Sequence, residues 1–146
     1  MTRKVRSKRL PQRRDRMTPS QRSYCMSRVR SRNTSLEVLV AEELRRRKLL
    51  FKCHVEELPG CPDIVFQRKR VAVFVDGDFW HGWRYPTWEH KLNPYWRDKI
   101  AGNRRRDQKN FRKLRRLGWA VIRLWEHTIK NDLPGSISKI QRSVLC

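Results

Sequence analysis

The sequence predicts an α/β fold in which one sheet is covered by helices on both faces, and three observations predict it. Two short runs, Asp63-Ile64-Val65-Phe66 and Val71-Ala72-Val73-Phe74-Val75, are almost wholly apolar and flank a polar loop at residues 67–70. Strands without alternating polarity are buried on both sides. Two other segments repeat apolar residues every three or four positions, the spacing of a helix with one buried face. A third apolar run, residues 119–125, follows the second of these segments. The order reads α-β-β-α-β-α, without internal repeat.

The first helix is expected over residues 35–48. Thr34 fits its N-cap, and Glu37 three positions on has capping-box spacing. Leu36, Val40 and Leu44, with Leu39 and Ala41, supply the apolar face, and the ArgArgArgLys run suits the negative end of the helix dipole. Leu58-Pro59-Gly60-Cys61-Pro62 is a turn feeding the first strand. Residues 76–95 read as irregular and rich in aromatic rings. From about Tyr95 a long helix carries Trp96, Ile100, Phe111, Leu114 and Leu117, and Gly118 stands where such a helix stops. A last short helix is expected over residues 136–144.

With 146 residues the chain suits one domain. Lys and Arg number 36 against 14 acids, a formal +22, which points to a polyanionic partner bound through its phosphates, nucleic acid above all. Residues 1–32 hold twelve of these cations and one Asp, so 12 − 1 = +11. Residues 1–16 are read as a mobile basic arm, residues 17–31 as a short helix or turn, and residues 17–146 as the folded domain. Ten Lys or Arg against two acids in residues 97–116 supply further phosphate contacts. The four cysteines lack CxxC spacing and the first residues shown carry no apolar core like a signal peptide's, so an intracellular, cytoplasmic, nucleoid-associated protein is expected. No apolar run approaches the ~20 residues a membrane helix needs.

Acids stand where a core is expected. Glu37 shares the inward stripe of its helix, either to complete the capping box or to work in a site. Asp107 lies seven, four and seven residues from Ile100, Phe111 and Leu114, so it points inward and must meet an Arg, a hydrogen-bond network or a metal. Asp63 follows Pro62 at the mouth of one strand and Asp76 ends the next. Two carboxylates on neighbouring strands, with backbone carbonyls between them, suit Mg²⁺, although Pro-Asp is also a common turn. His81 follows in a loop, where an imidazole can take a proton from water if a carboxylate, here Asp107, holds its far nitrogen.

Four separated stretches carry a resemblance. Residues 59–65 (PGCPDIV), 73–81 (VFVDGDFWH), the pattern Tyr95-Trp96-x-x-Lys99-Ile100-x-x-Asn103-x-x-x-Asp107, and Leu117-Gly118-Trp119-x-Val121-x-x-Leu124-Trp125-Glu126 together resemble the Vsr family of very-short-patch-repair DNA endonucleases. The resemblance spans about residues 20–130. It implies a restriction-endonuclease-like, PD-(D/E)XK-type fold, a mixed central sheet flanked by helices. It implies an enzyme that nicks one strand of duplex DNA at or near a T:G mismatch, with Mg²⁺ in a two-metal site, acting as a monomer. It further implies that Asp63 and the backbone carbonyl of Val75 bind metal, that Glu37 assists through water, that His81 activates the water and that Asp107 supports it. Phe79, Trp80 and Trp96 match rings that wedge into the base stack, where packing within the loop is the plainer role.

Two departures stand out. The family's structural zinc ligands correspond here to Asp78, Trp83, Tyr85 and His127, which cannot form that site, and a Cys53, His54, Cys61 grouping has the wrong spacing. Packing by Trp83, Tyr85 and Trp88 is the expected replacement. The family's second histidine is Asp76 here, a carboxylate offered to the metal directly. A homing- or restriction-type nuclease acting on matched DNA, or a silent DNA-binding protein of the same fold, are the alternatives.

Overall fold

In the computed structural model, residues 34–145 are described, together with Thr18 and Ser20. The basic arm of residues 1–16 lies outside the described residues, as do all but Thr18 and Ser20 of the expected helix or turn at residues 17–31. Helix α1 (Ser35–Arg46) leads to strands β1 (Lys52–Cys53), β2 (Ile64–Phe66) and β3 (Val71–Asp76). A short helix α2 (Tyr85–Trp88) and a 3-10 turn (Glu89–Lys91) precede the long helix α3 (Pro94–Arg116). Strand β4 (Ala120–Trp125), helix α4 (Glu126–Asn131) and helix α5 (Leu133–Leu145) complete the order.

The four strands form one mixed sheet in the order β1-β2-β3-β4. β1 with β2 and β2 with β3 run antiparallel, and β3 with β4 runs parallel, with Val71 opposite Ala120 and Asp76 opposite Trp125. Parallel neighbours need a crossover, and α3 provides it. Every residue of β2 and β3 is buried, as their unbroken apolar runs require. On one face Ile64, Val73, Ile122 and Leu124 pack against Val40 and Leu44 of α1, Ile129 of α4, and Ile137 and Ile140 of α5. On the other, Val65, Ala72 and Phe74 pack against Phe111 and Leu114 of α3 and against Trp119. Leu114 is fully buried, and truncating such a side chain to alanine costs about 2–5 kcal/mol.

Local chemistry explains the differences from expectation. β1 is a two-residue edge strand with both residues exposed, too short for any periodicity to betray. α1 stops at Arg46 because Lys48 turns left-handed, φ 60°. Leu117 caps α3 from outside and is 55% exposed, so it does not belong to the apolar stripe. α5 begins three residues before the expected position: Asp132 Oδ1 accepts from the Gly135 N–H at 3.0 Å, and Pro134 sits in the first turn, where its missing N–H costs nothing. The supposedly irregular stretch after β3 contains α2, with Pro86 in its first turn.

That stretch also contains a position only glycine fits. Gly82 has φ +69°, and a Cβ there would lie 2.7 Å from Arg104 Cδ and 3.0 Å from Ile100 Cγ2. Gly82→Ala is therefore expected to destabilise the protein by about 1–3 kcal/mol. A thermal melt checks this, and a melting temperature within error of the parent's would contradict the close packing of this loop on α3.

Candidate active site

The carboxyl-terminal end of β3 opens into a cleft of about 820 Å³ lined by residues from α1, β3, α3 and the loops between them. Glu37, Asp63, Val75, Asp76, His81 and Asp107 all border it, as do His54 and Trp80. Residues spread over some seventy positions are thus brought into one site.

Asp63 lies just before β2. The β2–β3 ladder ends at the Ile64–Val73 pair, so the Val75 N–H lies beyond it, and that N–H donates to Asp63 Oδ2 at 2.7 Å. Burial pushes the Asp63 carboxyl up to about 8; the Val75 hydrogen bond opposes the rise, and the negative charges of Glu37 and Asp76 add to it. Thr34 caps α1 by accepting from the Glu37 N–H at 3.3 Å, which leaves the Glu37 carboxylate in the cleft. Glu37 is 8% exposed, and among the described residues its Oε2 has no hydrogen-bond partner. His54 Nε2 stands 3.5 Å from that oxygen. Ligand atoms of Glu37, His54 and Asp63 lie within 4.8 Å of one another. Crowded acids with a buried oxygen left unsatisfied suit a divalent cation, because each carboxylate otherwise keeps its desolvation cost.

A second cluster faces α3. His81 Nδ1 lies 2.8 Å from Asp107 Oδ2, and His81 Nε2 lies 3.4 Å from Asp76 Oδ1. Arg123 joins the two acids: its Nε donates to Asp76 Oδ2, and its Nη2 donates to Asp107 Oδ2 at 3.0 Å. Asp107 therefore meets an arginine and the histidine together. Burial works against the imidazolium, but the hydrogen bond to Asp107 and the charges of Asp76 and Asp107 outweigh it, and the His81 pKa is raised. Burial likewise raises Asp76, against the pull of His81 and Arg123. The structure groups Asp76 with His81 and Asp107 rather than with Glu37 and Asp63, although this second group could itself hold a metal.

Beside the cleft the aromatic residues form a cluster. Phe79 is 39% exposed, stacks on Trp88 (5.8 Å, 19°) and meets the edges of Trp80 and Trp96 at 5.0 and 5.9 Å. Asn103 Nδ2 donates to the Trp80 carbonyl at 2.9 Å, tying this loop to α3. At the places corresponding to zinc ligands, Asp78 Oδ1 pairs with His127 Nδ1 at 2.8 Å, and Trp83 lies against the His127 ring at 4.1 Å. Trp88 Nε1 donates to the Trp83 carbonyl and the Tyr85 hydroxyl to the Arg97 carbonyl, two hydrogen bonds that tie the loop together and to α3. Among the described residues, neither cluster able to hold a metal includes a cysteine.

Sequence reasoning missed Arg123, and it weighed His54 only in a zinc grouping of the wrong spacing and Trp88 only as loop packing, not as neighbours of Glu37 and Phe79. Arg123 left a signal: in β4 it stands between buried Ile122 and Leu124, so by strand alternation it faces α3, toward Asp107. His54 and Trp88 left none, because both lie in segments without periodicity.

The family model described as DNA mismatch endonuclease Vsr matches residues 14–87. The chain is 39% identical over 133 residues to the "Type II nicking enzyme V.XorIIP" of Xanthomonas oryzae pv. oryzae, covering 90% of this chain and 96% of that protein. It is 34% identical to the "Type II nicking enzyme V.HpaIIP" of Haemophilus parainfluenzae, over 89% of this chain and 95% of that one. It is also 32% identical to the "DNA mismatch endonuclease Vsr" of Escherichia coli, over 75% and 71%. By family model and relatives alike, this chain belongs to the Vsr DNA mismatch endonuclease family.

Proposed function

We propose that the protein nicks one strand of duplex DNA at or near a T:G mismatch by Mg²⁺-dependent hydrolysis of a phosphodiester. The observation that carries this reading is the meeting, in one cleft, of the buried acids Glu37 and Asp63 with His81 oriented by Asp107, next to the exposed ring of Phe79. The fit of Asp63, Glu37 and the Val75 carbonyl to a hard cation supports metal dependence. Bound there, one or two such ions would supply charge neutralisation at the attacking and leaving oxygens. His81 supplies the base. With its Nδ1–H donated to Asp107, Nε2 is left to take a proton from water, and the imidazolium that forms lies between Asp107 and Asp76. Arg123 holds those two acids at a separation that suits the ring.

The rings of Phe79, Trp80 and Trp96 enter the base stack, unstacking a step at a cost of about a few kcal/mol that is lowest at a mismatch. Basic side chains on α3 and the arm of residues 1–16 bind phosphates and make the affinity salt-dependent. In this reading the sheet and α3 are the PD-(D/E)XK-type core, and one copy acts on each site. Among the described residues no helix is long and apolar enough to cross a membrane.

The test is a strand-resolved nicking assay with Mg²⁺ on otherwise identical matched and T:G duplexes. Cleavage of one strand of the T:G duplex, at least about tenfold faster than of the matched duplex, is expected from a favourable unstacking difference of about 1.4 kcal/mol or more. Equal cleavage of both would assign the protein instead to matched sites, and cleavage of neither would make it a silent DNA-binding member of the family.

A further inference from the structure

The site contains a nitrogen donor that the catalytic scheme above does not use. β1 ends at Cys53, and His54 follows in the left-handed region with φ 50°. Its backbone N–H donates to the Asp63 carbonyl at 3.1 Å, so the residue is anchored beside the acid. From that anchor its imidazole reaches into the cleft, with Nε2 3.5 Å from Glu37 Oε2, and the side chain is 15% exposed. The Glu37 oxygen it faces is the buried atom without a hydrogen-bond partner among the described residues. An oxygen this deep, left without a donor beside a second acid, has a place for one more positive charge, a proton or a cation.

Distances decide what could supply that charge. Ligand atoms about 2.1 Å from an octahedral ion stand about 3 Å apart when adjacent and about 4.2 Å when opposite. Donor atoms of Glu37, His54 and Asp63 lie within 4.8 Å of one another, so a small inward shift brings all three to one ion. Mg²⁺ takes oxygen ligands and keeps its waters, whereas imidazole nitrogen favours the divalent transition metals.

We propose that His54 is a ligand at the Asp63 centre, making it a mixed nitrogen and oxygen site that holds a divalent transition metal such as Mn²⁺ in preference to Mg²⁺. The inference rests on the reading that Asp63 binds a cation, and it assigns a residue and a metal preference to that centre. His54 holds this left-handed backbone with its imidazole beside Glu37. Histidine and asparagine tolerate that conformation better than most residues.

The test loads the full-length protein with Mn²⁺ and records the ¹⁴N couplings of the bound ion by pulsed electron paramagnetic resonance, with Mn²⁺ and Mg²⁺ affinities measured by calorimetry. The parent is expected to show a directly coordinated nitrogen and to bind Mn²⁺ about tenfold or more tighter than Mg²⁺. In His54→Gln, and in His54→Asn, which suits the left-handed backbone, the coupling should vanish and the preference should shrink several-fold, with Mg²⁺ affinity little changed. Circular dichroism verifies that each variant is folded, and either variant alone suffices. Mn²⁺ bound in an Asp63-dependent way without nitrogen coupling, or with a coupling that survives both substitutions, would overturn the proposal and leave the Asp63 centre standing. Failure of the parent to bind either ion would remove the centre and the proposal together.

Discussion

His81→Ala is expected to lower the single-turnover nicking rate by about 10²- to 10⁴-fold, the usual contribution of a positioned base, while the variant still binds duplex DNA. A rate close to the parent's would remove His81 from the chemistry. The pH profile gives a second, independent reading. The base works unprotonated, so the parent's rate should rise with pH through the His81 pKa. Burial alone would lower that pKa, but Asp107 and Asp76 raise it above the ordinary 6.5, so the rising limb lies on the alkaline side of a free imidazole's. Asp107→Asn removes the charge and the accepting carboxylate, and should move the limb to lower pH as the plateau falls. The same sign holds for stability. A histidine whose folded pKa is raised contributes stability that is complete below its unfolded value of about 6.5 and is lost as pH rises through the folded value. That part of the cost of Asp107→Asn should therefore be larger at pH 6 than at pH 9. A limb that does not move in Asp107→Asn would mean that Arg123, and not His81, is the partner that matters to this acid.

Asp63→Asn should abolish metal-dependent nicking and yet make the metal-free protein more stable at pH 8. Burial, with Glu37 and Asp76 nearby, pushes the Asp63 carboxyl up to about 8, so the folded state holds a proton that the unfolded chain releases near pH 4. An acid shifted upward favours folding most below its unfolded pKa, and that stability falls as pH rises toward the folded value, by an amount on the order of a few kcal/mol. Asparagine carries no such charge, and its carbonyl can still accept from the Val75 N–H. In chelator at pH 8 the variant should melt above the parent. Adding Mg²⁺ should raise the parent's melting temperature by mass action and leave the variant's unchanged. A variant that melts below the parent in chelator would show that the carboxylate is not the burden its burial implies.

Much of the architecture was legible because it rests on local patterns. Val71–Asp76 is buried along its whole length, as an unbroken apolar run requires, and α3 follows from the spacing of Ile100, Phe111 and Leu114. The elements that escaped, β1, α2 and α4, are two to six residues long, too short for a period to repeat. Within the candidate site, Asp107 could be read as inward-facing because helix geometry sets the direction of each side chain. Its double attachment to His81 and Arg123 could not, since those residues come from a loop and a strand 26 and 16 positions away.

The sequence by itself determined the layering of helices over a buried sheet, the polyanionic partner implied by its charge, and the family through four motifs in order. Periodicity, composition and spacing are properties of neighbours along a chain, and these conclusions need nothing more. Only the tertiary structure decided that Asp76 stands with Arg123 and His81, that Glu37 leaves an oxygen unsatisfied beside His54, and that Trp88 braces Phe79. Those pairings arise where strand ends, a long helix and two aperiodic loops meet at one rim. There the partner of each charge is set by distances through space, which no local rule of sequence encodes.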